Sequence, residues 1–272
     1  MNTTKTRNHT RNLLIAAAAG TFALGAASSV SASTEPPPDA SAAPDVPVPT
    51  AGEAASPEAA AFCEAEIAVE AAAMSEDPAA IEPAIGAAME AAPADAAPLL
   101  EAVVTALQTS GPEGPEFGAA YEALIAWMEA NCGFVTLNLT ASEYAFGGLP
   151  TELPAGGTII NLANIGEEVH EVAVMRINDD TELTLEELLA LPEEEGEQYV
   201  TFLNVAFAFP DEVGHTVVNL EPGRYVAICF LPEGATPEVM SQMSGPDSST
   251  PPGVVLGAPH FTHGMVQEFT VS

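Results

Sequence analysis

Four side chains in the second half of the chain carry donor atoms that a soft metal ion could use. Cys229 follows the apolar run Tyr-Val-Ala-Ile. His260 and Met265 precede the last apolar run of the chain, and His170 lies in an earlier one. One thiolate, two imidazoles and a thioether are the donor set that proteins use to hold a single copper ion for one-electron transfer. The predicted copper ligands are therefore His170, Cys229, His260 and Met265.

Each of these residues also has an interpretation without a metal. His170 could be a hydrogen-bonded core histidine, His260 an ordinary loop residue, Cys229 a buried apolar thiol and Met265 a core residue at the start of a strand. His263 is a second candidate for the place that is assigned to His260. A copper site and a copper-free domain are therefore both kept as hypotheses.

The segment that must position these side chains, residues 133–272, is predicted to consist of strands. From Val135 to Ala141, apolar residues alternate with polar ones, which is the period of a strand with one buried face. Further candidate strands are 158–164, 169–177, 201–207, 216–220, 224–230 and 266–271. About seven short strands at this spacing predict an all-β sandwich. Thr184 and Glu187 form a capping box, which predicts a short helix inserted between two strands.

Three stretches resemble the cupredoxins, the plastocyanin-like blue-copper proteins: residues 164–174, residues 222–229 and residues 260–265. The resemblance covers roughly residues 134–272, half of the chain. It implies a Greek-key β-sandwich whose usual task is to carry one electron. It also implies copper ligation by His170, Cys229, His260 and Met265, with the loop histidine as the exposed edge through which the electron passes.

Two features differ from the usual pattern of that family. The family has only a few residues between the cysteine and the second histidine, whereas here Phe230 to Pro259 intervene. A copper site then requires this segment to leave the sandwich and return, so that Cys229 and His260 become neighbours. Many members also follow the first histidine with an asparagine that ties the ligand loops together, and here that position is Glu171.

Residues 58–132 are rich in alanine and are predicted to be helical. Apolar residues recur at helical spacing, most clearly from Phe117 to Met128 and from Leu99 to Leu107. Breaks fall at Asp77-Pro78, at Pro93 and at residues 111–115, and Asp77 before Pro78 suits the start of a helix. The pattern predicts a small bundle of about four short helices. Pro83 lies inside the second of them, where a proline is unexpected.

The first 57 residues are predicted to contain a signal peptide and a linker. Residues 1–32 combine early basic residues, an apolar run over 13–27 and a small-x-small cleavage site at Val30-Ser31-Ala32. Residues 33–57 are proline, alanine, serine, threonine and acid, a composition typical of a disordered linker. The alternative for residues 1–32 is an uncleaved anchor. We expect an exported protein, secreted, periplasmic or associated with the cell wall, and not an integral membrane protein.

The chain has three cysteines, and export would favour a disulfide among them. Cys63 lies in the first predicted helix and Cys132 at the end of the last one. A Cys63–Cys132 bond would bracket the helical bundle and leave Cys229 as the free thiol that a thiolate ligand must be. The sequence therefore predicts this pairing.

The charge of the chain is strongly negative. Lysine and arginine number 5 and aspartate and glutamate 39, for a formal net charge of −34. After removal of residues 1–32 two arginines would remain, and the net charge would be 2 − 39 = −37. Nucleic acids and anionic lipids bind to basic patches on a protein surface, so neither is expected as a partner of this acidic chain. The unknown redox partner could instead be cationic, although solubility in a saline habitat also accounts for the charge.

Enzymatic functions find little support in the sequence. Multicopper oxidases and copper nitrite reductases need further histidine-rich sites, and the chain has five histidines. It has no Gly-x-Ser-x-Gly elbow and no His-Glu-x-x-His helix. Three non-enzymatic hypotheses remain: a one-electron copper carrier, a Cu(I) storage or delivery protein that uses Met240 and Met243, and a metal-free interaction module.

Overall fold

The structure, a computed structural model, describes residues 52–75, 77–112, 114–243 and 254–272. Helices occupy residues 57–131, and strands with short helical insertions occupy residues 135–271. The predicted architecture, an N-terminal helical part followed by a β-sandwich, is confirmed. The predicted signal peptide and residues 33–51 of the predicted linker lie outside the described residues. Among the described residues, no helix is both long and apolar enough to cross a membrane.

The four helices of the N-terminal part are α1 (Pro57–Met74), α2 (Ile81–Ala91), α3 (Ala97–Thr109) and α4 (Pro115–Asn131). Ser56 caps α1, since its hydroxyl accepts a hydrogen bond from Ala59 N at 3.2 Å. The second helix begins three residues later than Pro78, because the Asp77 carboxylate accepts from Ala79 N at 3.0 Å and forms a turn there. Pro83 therefore lies in the first turn of α2, where its missing N–H breaks no helical bond.

The strands follow the helices and lie close to the predicted ones. They are β1 (Val135–Ser142), β2 (Ala145–Gly147), β3 (Glu152–Leu153), β4 (Gly156–Asn164), β5 (His170–Ile177), β6 (Val200–Ala208), β7 (Val213–Leu220), β8 (Gly223–Ile228) and β9 (Val266–Val271). The first sheet has the order β2-β1-β4-β7 and the second β3-β9-β8-β5-β6. Both sheets are mixed, because β1 is parallel to β4 and β3 is parallel to β9.

The main core lies between the two sheets. Its largest fully buried side chains include Leu139 of β1, Leu162 of β4 and Tyr225 of β8. The hydroxyl of Tyr225 donates to Glu221 O at 2.8 Å and accepts from Glu221 N at 3.0 Å, so its polar atom is paired. Cys229 and Met265 belong to this same core. Two of the four predicted metal ligands are therefore part of the main core of the sandwich.

The helices pack against the sandwich and share a second core with it. Phe62, Leu124 and Met128 from the helices are buried together with Ile159 of β4 and Val217 of β7. The predicted disulfide is present: Cys63 in α1 is bonded to Cys132, the residue that follows α4. The free thiol of the described residues is Cys229, as expected.

Short helices interrupt the β part. They are α5 (Leu185–Leu189), α6 (Glu193–Gly196) and α7 (Pro237–Met243). The predicted capping box is confirmed at α5, where the Thr184 hydroxyl and the Glu187 carboxylate each accept from the other residue's backbone N–H.

The two ends of the long segment between Cys229 and His260 meet at the sandwich. Pro232 and Pro259 form an antiparallel bridge there. His260 N donates to Leu231 O at 2.8 Å, and Phe261 N donates to Cys229 O at 3.0 Å. The extra residues therefore do not separate the two ligand segments, which contact each other as the sequence interpretation required.

Candidate metal centre

The sheet brings the predicted ligands to one end of the sandwich. His170 is the first residue of β5, and Cys229 directly follows the last residue of β8. Because β5 and β8 are antiparallel neighbours, with Ala173 opposite Ile228, the start of one lies beside the end of the other. Strand β9 begins at the same end, with Val266 opposite Ile228.

Three donor atoms converge there. Nδ1 of His170 lies 3.2 Å from Nδ1 of His260, and Nδ1 of His260 lies 3.3 Å from Sγ of Cys229. The three donors all lie within 4.8 Å of one another, and all three residues are buried. Donor atoms at these separations can share one ion.

Met265 is held next to this trio by the backbone. Its N–H donates to His260 O at 3.2 Å, and its carbonyl accepts from Cys229 N at 3.1 Å. Gly264 makes the turn possible with a φ of 114°, a conformation that strongly favours glycine, and its N–H caps the 3-10 turn His260–His263. The Met265 side chain is fully buried in the core that contains Cys229.

The loop that leads into His170 is fixed by two polar side chains. Asn164 donates to Glu168 O at 2.7 Å and to Ala208 O at 2.9 Å, and its carbonyl oxygen accepts from Gly166 N. The Glu143 carboxylate accepts from Glu167 N at 2.6 Å and from Glu168 N at 3.0 Å. These hydrogen bonds hold the backbone of the loop in one conformation and so fix the position of His170.

Glu143 is ionised in this setting. Desolvation alone would raise the pKa of Glu143, but the backbone N–H donors, chiefly that of Glu168, outweigh it and hold the pKa at about 2. Oε1 of Glu143 lies 3.5 Å from Nε2 of His170, too far for a good hydrogen bond, and no other described residue bonds to Nε2. The outer nitrogen of His170 therefore faces a negative charge without a short bond to it.

Glu168 holds the second imidazole. Its Oε2 accepts from Gly234 N at 2.9 Å and lies 3.0 Å from Nε2 of His260. A proton on Nε2 that is donated to Glu168 leaves Nδ1 with a free lone pair that faces Cys229 and His170. Carboxylates in this position orient metal-binding histidines in many sites.

Glu171, the residue that departs from the family pattern, connects two ligand segments. Its side chain is 1% exposed, and its Oε1 accepts from Phe230 N at 2.9 Å. Burial raises the pKa of this carboxyl to about 8, against the smaller opposing effect of that hydrogen bond. The hydrogen bond ties the strand of His170 to the segment that follows Cys229.

Burial also sets the protonation of the ligands. Desolvation, followed by the nearby His260, lowers the pKa of His170, and desolvation lowers that of His260. Desolvation raises the pKa of the Cys229 thiol, to which Glu171 adds. The imidazoles are therefore neutral, as ligands must be, and a metal would displace the thiol proton on binding.

The exposure of the loop histidine differs from expectation. His260 is 0% exposed, so the prediction of an exposed ligand edge was wrong. Tyr144, from the turn between β1 and β2, covers its ring at a centroid distance of 4.8 Å. His263 does not join the donor cluster: its side chain is 39% exposed, and its Nε2 lies 3.9 Å from Glu233 Oε2.

His215 is not part of the donor trio. It is half-buried in β7, and its Nδ1 lies 2.8 Å from Asn161 Oδ1. Met240 packs against the main core from α7. The side chain of Met243 lies outside the described part of the chain.

Sequence reasoning did not find Glu143, Tyr144 and Glu168. Glu167 and Glu168 stand directly before the His170 strand, which is a local signal. In a chain with 39 acids, however, two more carboxylates do not stand out. Glu143 and Tyr144 lie far from every ligand in sequence, and only the fold brings them near.

The donor set fits copper. A cysteine sulfur and two imidazoles in one buried cluster, with Met265 in the same core as the cysteine, suit a soft ion that cycles between Cu(II) and Cu(I). Carboxylate oxygens, which Mg²⁺ and Ca²⁺ prefer, are not part of this donor cluster among the described residues.

Known proteins resemble this chain in structure but not closely in sequence. No family model and no curated protein matches it. Reduced auracyanin from Roseiflexus castenholzii is 15% identical over 50% of this chain and 96% of its own, with a TM-score of 0.30. Rusticyanin from Thiobacillus ferrooxidans is 12% identical over 50% and 77%, with a TM-score of 0.26. A multi-copper oxidase from Pediococcus acidilactici is 10% identical over 51% and 26%, with a TM-score of 0.27. Because these similarities are low, copper is assigned from the donor atoms of this chain and not from the proteins that it resembles.

Proposed function

We propose that this protein is an exported one-electron carrier with a single copper ion at His170, Cys229, His260 and Met265. The observation that carries the proposal is the buried trio of donor atoms within 4.8 Å of one another, one from each of three chain segments. When bound, copper supplies a Cu(II)/Cu(I) couple. The Cys63–Cys132 disulfide and the predicted signal peptide over residues 1–32 support export.

The metal-free chain already holds the candidate ligands in place. His170 and Cys229 sit at ends of paired strands, which are rigid elements. Glu168 orients His260, and Glu171 ties the His170 strand to Phe230. Ligands that are held in place need to move little when the oxidation state changes, and a small rearrangement favours rapid electron transfer.

Burial of the donors supports a carrier rather than an enzyme. His170, Cys229 and His260 are each 0% exposed among the described residues, so a substrate molecule would not touch them directly. An electron can cross a layer of protein that a substrate cannot. We therefore assign no substrate to the site.

Copper stoichiometry in purified variants tests this proposal. We expect one copper per protein for the wild type and for His263→Ala, whose ring lies outside the cluster, and loss of stoichiometric copper for His260→Ala. Met265→Leu should keep copper, because the thioether contributes only a weak axial bond.

Other outcomes would favour the alternatives. The metal-free module would become the better account if the reduced wild-type protein took up no copper. Binding of Cu(I) alone, lost in Met240→Leu and retained in Cys229→Ser, would favour storage or delivery. Equal copper in His260→Ala and His263→Ala would remove His260 from the site.

A further inference from the structure

Three aromatic rings lead from the buried metal centre to the surface. The ring of His260 contacts that of Tyr144 at a centroid distance of 4.8 Å, and the same tyrosine ring contacts His263 at 4.7 Å. Tyr144 is half-buried, and the side chain of His263 is 39% exposed. The tyrosine thus lies between a buried ligand and an exposed imidazole.

The burial of His260 gives this stack its importance. Electron tunnelling weakens steeply with distance and is favoured through groups in van der Waals contact. His260 does not reach the surface itself, so its ring cannot meet a redox partner directly. The distances of both ring pairs lie near the short end of the range for aromatic contacts.

We infer that electrons enter and leave the proposed copper site through Tyr144 and His263, and that the surface around His263 is where a redox partner docks. This inference rests on the proposed function. In the step itself one electron passes from a donor to bound Cu(II), which becomes Cu(I). Tyr144 and His263 are neither oxidised nor reduced, and no proton is transferred.

The charges around the stack indicate what kind of donor is favoured. The side chains of Glu143 and Glu233 are 33% and 52% exposed, and that of Glu168 is 17% exposed. Glu143 directly precedes Tyr144, Glu168 Oε2 lies 3.0 Å from Nε2 of His260, and Glu233 Oε2 lies 3.9 Å from Nε2 of His263, so a carboxylate stands beside each ring of the stack. A cationic donor should therefore collide productively more often than an anionic one, and more so at low salt.

A second route must be distinguished from this one. Phe230 directly follows Cys229, is 38% exposed and packs edge-on against Phe261 at 5.8 Å. An electron could leave through the thiolate and this ring instead. Phe230→Leu is therefore the competing variant, and Tyr199→Ala, which removes an exposed tyrosine far along the chain, is the control.

The test uses the copper-loaded protein and hexaammineruthenium(II), a cationic outer-sphere reductant. Visible spectra come first: an unaltered copper spectrum in every variant shows that the site is intact, whereas no copper spectrum in the wild type means that the proposed function has failed. Given intact sites, the rate of Cu(II) reduction should fall about tenfold or more in Tyr144→Leu and in His263→Ala. Tyr144→Phe, which keeps the ring, Phe230→Leu and Tyr199→Ala should stay near the wild-type rate.

Metal-free protein gives a second measurement that does not depend on electron transfer. Carbethoxylation followed by peptide mapping should modify His263 and spare His260 in the wild type. In Tyr144→Ala, which uncovers the ligand, His260 should become modified as well. The inference is overturned if His260 is modified in the wild type, or if Tyr144→Leu and His263→Ala reduce at the wild-type rate. Slow reduction of Phe230→Leu in that case would favour the second route.

Discussion

The outer nitrogen of each ligand histidine faces a carboxylate. Glu168 lies 3.0 Å from Nε2 of His260, and Glu143 lies 3.5 Å from Nε2 of His170. A negative charge behind a ligand strengthens its donation to the metal and favours the more highly charged Cu(II). We therefore expect these residues to tune the reduction potential of the site as well as its geometry.

Glu168→Gln tests this effect at a single residue. The amide oxygen can still accept a hydrogen bond from His260, but the negative charge is gone. We expect the copper colour to persist and the reduction potential to rise. Voltammetry of the wild type, Glu168→Gln and the more exposed Glu233→Gln measures the difference. An equal shift in the two variants would mean that only the overall charge matters.

The ligand types could be predicted from sequence, but their surroundings could not. A cysteine after one apolar run and a histidine and methionine before another define the donor set because each donor type has its own metal chemistry. The burial of His260 depends on Tyr144, which lies over a hundred positions upstream. No local pattern around either residue records that contact.

Some strands could be predicted from the sequence and others could not. Strand β9 was predicted at 266–271 and is found at Val266–Val271, because its apolar alternation is strong. Strands β2 and β3 were not predicted, since three and two residues are too few to show a period. Their pairing with β1 and β9 defines them.

The packing of helix α1 on the sheets places two carboxyl groups inside the protein. Glu66 is 3% exposed, and its Oε1 has no hydrogen-bond partner in the described part of the chain. Glu70 accepts from the Tyr121 hydroxyl at 2.6 Å and from Asn204 Nδ2 at 3.0 Å. Desolvation, with the neighbouring Glu70, raises the pKa of Glu66 from 4.5 to about 8, and desolvation also raises that of Glu70.

These shifts predict a pH dependence of stability. The folded protein keeps the Glu66 proton up to about pH 8, whereas the unfolded chain releases it near pH 4.5. Between these values the folded state binds more protons, so the unfolding free energy falls as pH rises, by up to about 1.4 kcal/mol per pH unit for this group. Glu66→Gln, which cannot titrate, should be less sensitive to pH in this window.

Chemical unfolding at several pH values measures that difference. Glu58→Gln, on the exposed first turn of α1, is the matched control and should follow the wild type. If Glu66→Gln and the wild type lost stability in parallel between pH 5 and pH 8, the raised pKa of Glu66 would be contradicted.

Negative charge is the dominant property of the chain as a whole. A formal net charge of −34 for the chain opposes folding through self-repulsion. Salt shortens the range of this repulsion to about 3 Å at 1 M. We expect the melting temperature to rise from low salt to 1 M sodium chloride. Sucrose at matched osmolality controls for effects that are not ionic, and a melting temperature that stays flat or falls would contradict the prediction.

The helical part and the sandwich are joined through a shared core, so the candidate copper site belongs to a larger body than the sandwich alone. Ile159 and Val217 of the first sheet are buried among helical residues, and Glu70 reaches Asn204 of the second. The composition of the two segments predicted helices and strands but not the contact between them. Strands that are buried on both faces of a sheet show no alternation of apolar and polar residues, so the sequence does not mark the face that packs against the helices.

Two spectra test whether Cys229 binds copper, on which the proposed function depends. They are the visible and the paramagnetic-resonance spectrum of the protein with Cys229 reduced, recorded after addition of Cu(II). A thiolate bonded to Cu(II) in a trigonal site gives intense visible absorption and the resonance signal of a blue-copper centre. We predict both for the wild type and the loss of both in Cys229→Ser, because a hydroxyl cannot replace the soft thiolate. A colourless wild-type protein, or a spectrum that Cys229→Ser leaves unchanged, would contradict the copper site.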